Sequence, residues 1–273
     1  MLATNNNLKN IVFFSGGICS YIAAKRVIAT EGTANTVLLF CDTHAEDEDC
    51  YRFIHDARKS LALPLITIDD GRTPWQVFHD ERLIGNSRVD PCSKILKRRL
   101  ARRWLNDNCN PAVTVLYLGL SWYEKHRIGK NRTAWAPWIT AYPAAVRPLL
   151  DHCDMLAEVE ADGLTPPKLY RLGFEHNNCG GACVKGGRAQ WRHLLAKLPE
   201  RYAQHEEAEH QLRIYLQKNV TILRDTTANG GRPLTLESFR HRCEVDPTPK
   251  PDEDWQSCPC FTDPDEKDLA ETT

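Results

Sequence analysis

The sequence predicts an α/β fold: a parallel sheet with helices on both faces, followed by a helical C-terminal extension. Three observations predict it. Short apolar runs alternate with helical patterns over the first half of the chain. The first run breaks at Ser15-Gly16-Gly17, and polar residues close each later one. The 273 residues, 42% hydrophobic and 26% charged, suit one large soluble domain with an appendage.

The first strand is Ile11-Val12-Phe13-Phe14, and an apolar, helix-compatible run over 21–28 follows the glycine pair. That order reads as strand, tight turn, helix. Paired glycines let backbone N–H groups approach a ligand with no Cβ in the way. The helix start beyond them favours an anion, most simply a phosphate. Ser15 and Ser20 add hydroxyls. No Gly-Lys-Ser/Thr follows, so this is not a Walker loop. On so short a motif, a strand–turn–helix with no ligand stands as an equal alternative.

The second strand, 36–40, ends at Cys41-Asp42-Thr43. The third, 64–68, ends at Asp69-Asp70-Gly71, and the fourth, 112–118, at Gly119. Helical patterns over 49–61, 74–81 and 93–106 lie between them, and a short apolar piece precedes Tyr142. Ligands of parallel sheets sit beyond the carboxyl ends of the strands. Ser15 to Ser20, Asp42, Thr43, Asp69 and Gly119 therefore converge on one site. Helices over 184–198 and 200–216 form the extension. The expected units are 1–178, a nucleotide-binding domain; 179–243, a cysteine loop and helical extension; and 244–273, an acidic Pro/Asp-rich tail.

A formal net charge of −1 gives no overall field that would draw the molecule onto nucleic acid or a membrane. No apolar run approaches the ~20 residues that span a bilayer. Residues 1–10 are polar and lack the core of a signal peptide. The expectation is a cytoplasmic protein with no membrane association. In the helix over 93–106, Leu96, Leu100 and Trp104 share one face and Lys94, Lys97, Arg98, Arg99, Arg102 and Arg103 load the rest. A solvated face is the ordinary reading of such a run. The alternative gives Arg98, Arg99, Arg102 and Arg103 to the phosphates of a tRNA or DNA acceptor. Lys97, beside the apolar row, can point back along the core edge toward a phosphate.

Eleven cysteines are many for a reducing compartment, where clustered thiols read first as metal or redox sites. Cys50, Cys109 and Cys153 stand alone and read as small buried hydrophobes. Cys179-x3-Cys183 and Cys258-Pro259-Cys260 are clustered. Four thiolates from the two pairs would complete a tetrahedral zinc site or bind a 4Fe–4S cluster, and neither spacing chooses between them. Four unpaired thiols, or a tail dithiol that swings, are the alternatives. Among His126, His176, His205 and His210, only His126 sits inside a motif, Glu124-x-x-Arg127.

The motifs occur in a telling order: Ser-Gly-Gly-x-x-Ser at 15–20, strand–Asp42-Thr43, Cys92-Ser93-x-x-Leu96-Lys97, Gly119-x4-Glu124-x-x-Arg127, Pro148-Leu149, Leu169-Tyr170-x-x-Gly173-Phe174, then the cysteine pair. Together they resemble the phosphoadenosine-phosphosulfate (PAPS) reductase family of the adenine-nucleotide alpha-hydrolase, or PP-loop ATP-pyrophosphatase, superfamily. The likeness covers roughly 10–190 and extends to phage and bacterial members. It implies a Rossmann-like, HUP-type sheet binding ATP or PAPS with Mg²⁺. Ser15, Gly16, Gly17 and Ser20 would hold phosphates, with Gly119 nearby and Asp42 and Thr43 beside the nucleoside. Lys97 and Arg127 would contact phosphate or sulfate oxygens, and Glu124 would orient Arg127 or a metal ion. The family context favours iron–sulfur over zinc, and a homodimer is compatible with it. The implied activity is an ATP pyrophosphatase that adenylates an acceptor for sulfur or nitrogen transfer. Two other readings stand beside it: a thiol-dependent PAPS reductase, and a nucleotide-binding partner protein without catalysis. Cys19 replaces the loop Asp of the ATP-cleaving members, and the C-terminal Glu-Cys-Gly-x-His motif of the reductases is missing.

Overall fold

The computed structural model describes residues 9–225 and 231–248. The sheet-bearing body runs β1 (Asn10–Phe13), α1 (Ile18–Glu31), β2 (Thr36–Asp42), α2 (Glu48–Leu61), β3 (Leu65–Asp69) and α3 (Pro74–Asp80). It continues through α4 (Pro91–Ser93), a π-helical stretch (Lys94–Arg99), α5 (Leu100–Asn108), β4 (Val115–Tyr117), α6 (Ile128–Trp135) and β5 (Ile139–Ala141). Then come α7 (His152–Ala161), α8 (Lys168–Arg171), α9 (Arg188–Lys197), α10 (Pro199–Leu216), the hairpin β6 (Leu223–Asp225) and β7 (Arg232–Leu234), and α11 (Leu236–Val245).

The main sheet has the order β3-β2-β1-β4-β5, and every pair is parallel. This is the α/β Rossmann-like architecture that the alternation predicts. β1 shows why its run is continuously apolar. Successive side chains alternate between faces, and both faces are covered. Val12 packs with Leu38, Ile22 and Phe53 on one side; Ile11 and Phe13 pack with Leu39, Leu116 and Trp135 on the other. The short apolar piece before Tyr142 is the edge strand β5. A third core joins Phe78, Ile84, Leu169 and Phe174 to Trp191, Tyr202, Leu212 and Phe239 of the C-terminal helices. Buried Glu209 of α10 ties this region together by accepting from the Ile222 and Leu236 amides at 2.9 and 2.7 Å.

One helix departs from its predicted register. The apolar face expected at Leu96, Leu100 and Trp104 is instead Leu96, Ala101 and Leu105, all fully buried, while Leu100 and Trp104 are half-buried. The cause is the π-helical stretch, whose i→i+5 bonding widens one turn. The shift turns Lys97 and Arg98 inward: both are buried. Arg98 reaches buried Asp90 at 3.3 Å, and Arg102 donates to the Ala134 and Ala136 carbonyls and lies over the Trp135 ring. The expected row of four outward arginines is thereby corrected. Among them only Arg99 and Arg103 are exposed.

Candidate functional site

The chain reverses its direction across the sheet between β1 and β4, because β2 lies on one side of β1 and β4 on the other. Such a reversal opens a crevice beyond the strand ends. The turn after β1 forms its floor. Gly16 has φ +75°, a left-handed conformation that suits glycine. Its carbonyl accepts from Asn177 Nδ2 at 2.9 Å, across 161 residues of sequence. The Tyr170 hydroxyl accepts from the Ile18 amide at 3.2 Å, and the Ser20 hydroxyl donates to the Gly17 carbonyl at 2.7 Å. Ser20 and Tyr21 amides bond the same carbonyl. Among the described residues, the bonds that close this turn use the N–H groups of Ile18, Ser20 and Tyr21, which leaves those of Gly16, Gly17 and Cys19 for a ligand.

Gly119 serves close packing. A Cβ there would lie 2.9 Å from the backbone N and Cα of Ser20, so the end of β4 passes directly against the start of α1. The crevice encloses about 110 Å³ and is lined by Ser15, Gly17, Lys97, Gly119, Glu124 and Asn177. It opens into an outer basin of about 740 Å³ that shares Tyr123, Glu124, His152 and Tyr170 with it and includes His126. Two side-chain atoms of the crevice residues are buried without a hydrogen-bond partner, Asn177 Oδ1 and His152 Nε2.

Lys97 forms part of the crevice wall and also lines a second cavity of about 280 Å³. Its ammonium lies 3.5 Å from Glu46, whose side chain is 1% exposed. Glu46 also accepts from the Thr43 hydroxyl at 3.3 Å and the Cys179 amide at 2.5 Å. Thr43 lines the second cavity and not the crevice. Asp42 lies off both, accepting from the Tyr51 hydroxyl at 2.7 Å and the His44 amide at 2.8 Å. The structure therefore gathers Ser15, Gly17, Ser20, Lys97, Gly119 and Glu124 at the crevice and sets Asp42 and Thr43 apart.

Glu124 orients Arg127: the two bond at 2.5 Å, and the other oxygen of Glu124 accepts from the Ser121 hydroxyl and amide. Arg127 is buried behind Glu124. Burial pushes the Cys19 thiol well above its ordinary range, and Glu124 adds to the rise while Arg26 opposes it. Burial likewise raises Cys50 and pushes Cys41 up to about 12. These thiols are neutral at ordinary pH and so poorly nucleophilic.

Cys179 and Cys183 both line the second cavity, Cys179 in a left-handed conformation at φ +50°. The loop around them is held by Arg201, which donates to the Gly180 carbonyl at 2.6 Å and to Asp47 at 2.8 Å, and by Gln190 on the Gly181 carbonyl. Cys258 and Cys260 lie outside the described residues. Among the described residues no three Cys, His, Asp or Glu side chains gather to hold a metal. Cys179 and Cys183 would supply two of the four thiolates that a closed zinc or iron–sulfur site requires. No helix of the described residues is long and apolar enough to cross a membrane.

Sequence reasoning missed Asn177, Tyr170 and Glu46 as parts of the site. Tyr170 lies in the Leu-Tyr-x-x-Gly-Phe motif and Glu46 in the acidic start after β2, but nothing local announces that either reaches the glycine turn or Lys97.

No protein-family model matches the chain, and no curated protein matches its sequence. Solved structures that match include the crystal structure of phosphoadenylyl-sulfate (PAPS) reductase from Candida auris in its phosphate complex. That match has 15% identity and a TM-score of 0.42, and covers 62% of this chain and 79% of that one. An overlap of this size transfers no residue roles.

Proposed function

We propose that the protein binds an adenine nucleotide with its phosphates on the turn 15–20 and splits the bond between the α and β phosphates. The observation that carries this reading is the crevice at the sheet's reversal point, a small space lined by the glycine turn and by Lys97. A space of about 110 Å³ suits a phosphate group, and the contiguous basin has room for the nucleoside. An acceptor oxygen would attack the α-phosphorus, the bond to the β-phosphate oxygen would break, and pyrophosphate would leave. The acceptor would thereby be adenylated, ready for sulfur or nitrogen transfer.

The turn's N–H groups and Lys97 would stabilise the charge that develops on the departing pyrophosphate. They are fixed before the ligand arrives, so little reorganisation is needed at the moment of reaction. Glu124 lines the crevice and holds Arg127 behind it. Mg²⁺ accompanying the nucleotide would neutralise the phosphates, with exposed Glu175 of the crevice lining as the carboxylate that would hold it. A thiol-dependent reductase would draw its nucleophile from Cys258 or Cys260, outside the described residues; burial keeps the Cys19, Cys41 and Cys50 thiols neutral and unsuited to that role.

ATP labelled at the α-phosphate tests the reading. AMP with pyrophosphate is the expected product pair, formed fastest once an acceptor is present. ADP with inorganic phosphate would refute it. Binding without turnover across candidate acceptors would favour the non-catalytic module, and sulfite release from PAPS and thiol would favour the reductase.

A further inference from the structure

Asn177 is 2% exposed, and its two amide atoms face different things. A carbonyl oxygen can only accept, so the amide nitrogen must face Gly16, which fixes Oδ1 as the other atom of a residue that lines the crevice. That oxygen is buried and has no partner. Buried polar atoms are nearly always paired, and an exception calls for an explanation. A phosphate oxygen does not supply one, because acceptor would then face acceptor. His152 Nε2, the second unpartnered atom, belongs to the same crevice lining and to the basin.

We infer that Asn177 is the specificity residue of the crevice: its Nδ2 holds the glycine turn open, and its Oδ1 accepts a hydrogen bond from a donor that the bound nucleotide brings with it. The donor is a ribose hydroxyl or a metal-bound water. This rests on the nucleotide reading and adds what that reading lacks, a group that tells a complete nucleotide from a bare anion. The turn's N–H groups and Lys97 hold any oxyanion. Asn177 is satisfied only by a ligand that also donates. An aspartate at 177 would set a negative charge beside both the Gly16 carbonyl and the phosphates, so the amide suits both of its neighbours.

The full chain is titrated calorimetrically with ATP, 2′-deoxy-ATP and 3′-deoxy-ATP in Mg²⁺, with ATP in EDTA, and with inorganic pyrophosphate. The expected result is a loss of about tenfold in affinity when the donating group is removed, equivalent to ~1.4 kcal/mol. A deoxy nucleotide that shows the loss assigns the ribose; EDTA alone showing it assigns the metal-bound water. In Asn177→Ala the same ratio falls to near one, while ATP binds more weakly. A merely structural role would lower all affinities and leave the ratio intact, which would overturn the inference. Wild-type chain that binds every nucleotide, the EDTA sample and pyrophosphate equally would also overturn it, with no variant needed. Absence of any ATP binding would overturn the nucleotide reading and this inference with it; binding without discrimination overturns this inference alone.

Discussion

Gly16 and Gly17 are adjacent, yet replacing each by alanine should do different things. At Gly16 the new Cβ would sit 2.5 Å from Cys50 Sγ and 3.0 Å from Ile54, in a backbone at φ +75°. The left-handed backbone costs about 1–2 kcal/mol for an L-residue, and overpacking a tight contact about 1–3 kcal/mol. Gly16→Ala should therefore lose roughly 2–5 kcal/mol, a fall of roughly 5–15 °C in Tm for a chain of this size. Gly17 has φ −96°, which any residue adopts. Its new Cβ would meet only the Tyr170 hydroxyl at 3.1 Å and Ser15 Oγ at 3.6 Å. Losing the Tyr170 bond to Ile18 costs about 1 kcal/mol, so Gly17→Ala should melt within a few degrees of the native chain. It should nonetheless weaken ATP binding at least tenfold, because the methyl group stands in the crevice. Thermal unfolding and calorimetric titration of each single variant separate the effects; replacing both glycines together would confound them. Native stability in Gly16→Ala, or native ATP affinity in folded Gly17→Ala, would refute this account of the turn.

Three further outcomes follow from charges. Glu124→Ala removes the carboxylate paired with Arg127, whose side chain is 5% exposed, and should cost about 3–5 kcal/mol in urea unfolding; adding Arg127→Met should recover much of it. A loss under about 1 kcal/mol for the single variant would show that the pair is solvated. Only Arg99 and Arg103 of the basic helix are exposed, so nucleic-acid binding through it would involve about two phosphates. Its affinity should then change only about tenfold between 50 and 200 mM salt by anisotropy, and a steeper fall would point to another surface. His205 is held down to about 4 from 6.5, chiefly by burial and next by Arg201, while its Nδ1 accepts from Trp75. Above 6.5 both states are neutral; as pH falls toward 4 the unfolded chain takes up the proton first, so about 3 kcal/mol of stability should be lost across that window. His205→Gln should flatten that part of the urea profile, and an unchanged slope would assign the loss elsewhere.

The sheet was legible because its cause is local. Strands buried on both faces must be apolar at every position, and 10–13 and 36–42 are nearly so. The breaks after them are equally local, since a chain leaving such a strand needs polar or glycine residues at once. Val115–Tyr117 and Ile139–Ala141 were harder to delimit, because three-residue strands toward a sheet edge carry too few positions for a pattern. The register of the basic helix was not legible. A 3.6-residue period assumes uniform bonding, and the π turn at 94–99 breaks that assumption. Its consequence reaches the crevice wall, where it buries Lys97 against Glu46.

The clamp on the glycine turn has a different obstacle. Asn177 donates to the Gly16 backbone carbonyl, a group that every residue carries, so no side-chain type at position 16 marks the partnership. The signal that does exist lies at the other end. Asn177-Asn178-Cys179-Gly180-Gly181 places two amides before a run of three successive residues with positive φ, 179–181. Such a run turns the backbone sharply, and something must hold it. Here Glu46 holds the Cys179 amide, Arg201 the Gly180 carbonyl and Gln190 the Gly181 carbonyl. The cysteine loop is thus fastened beyond the end of β2 by Glu46 and to α9 and α10 by Gln190 and Arg201. The spacing of Cys179 and Cys183 reads from sequence as a ligand pair. In the fold, the same glycines that make the spacing unusual also let the loop reach back and set Asn177 against the turn.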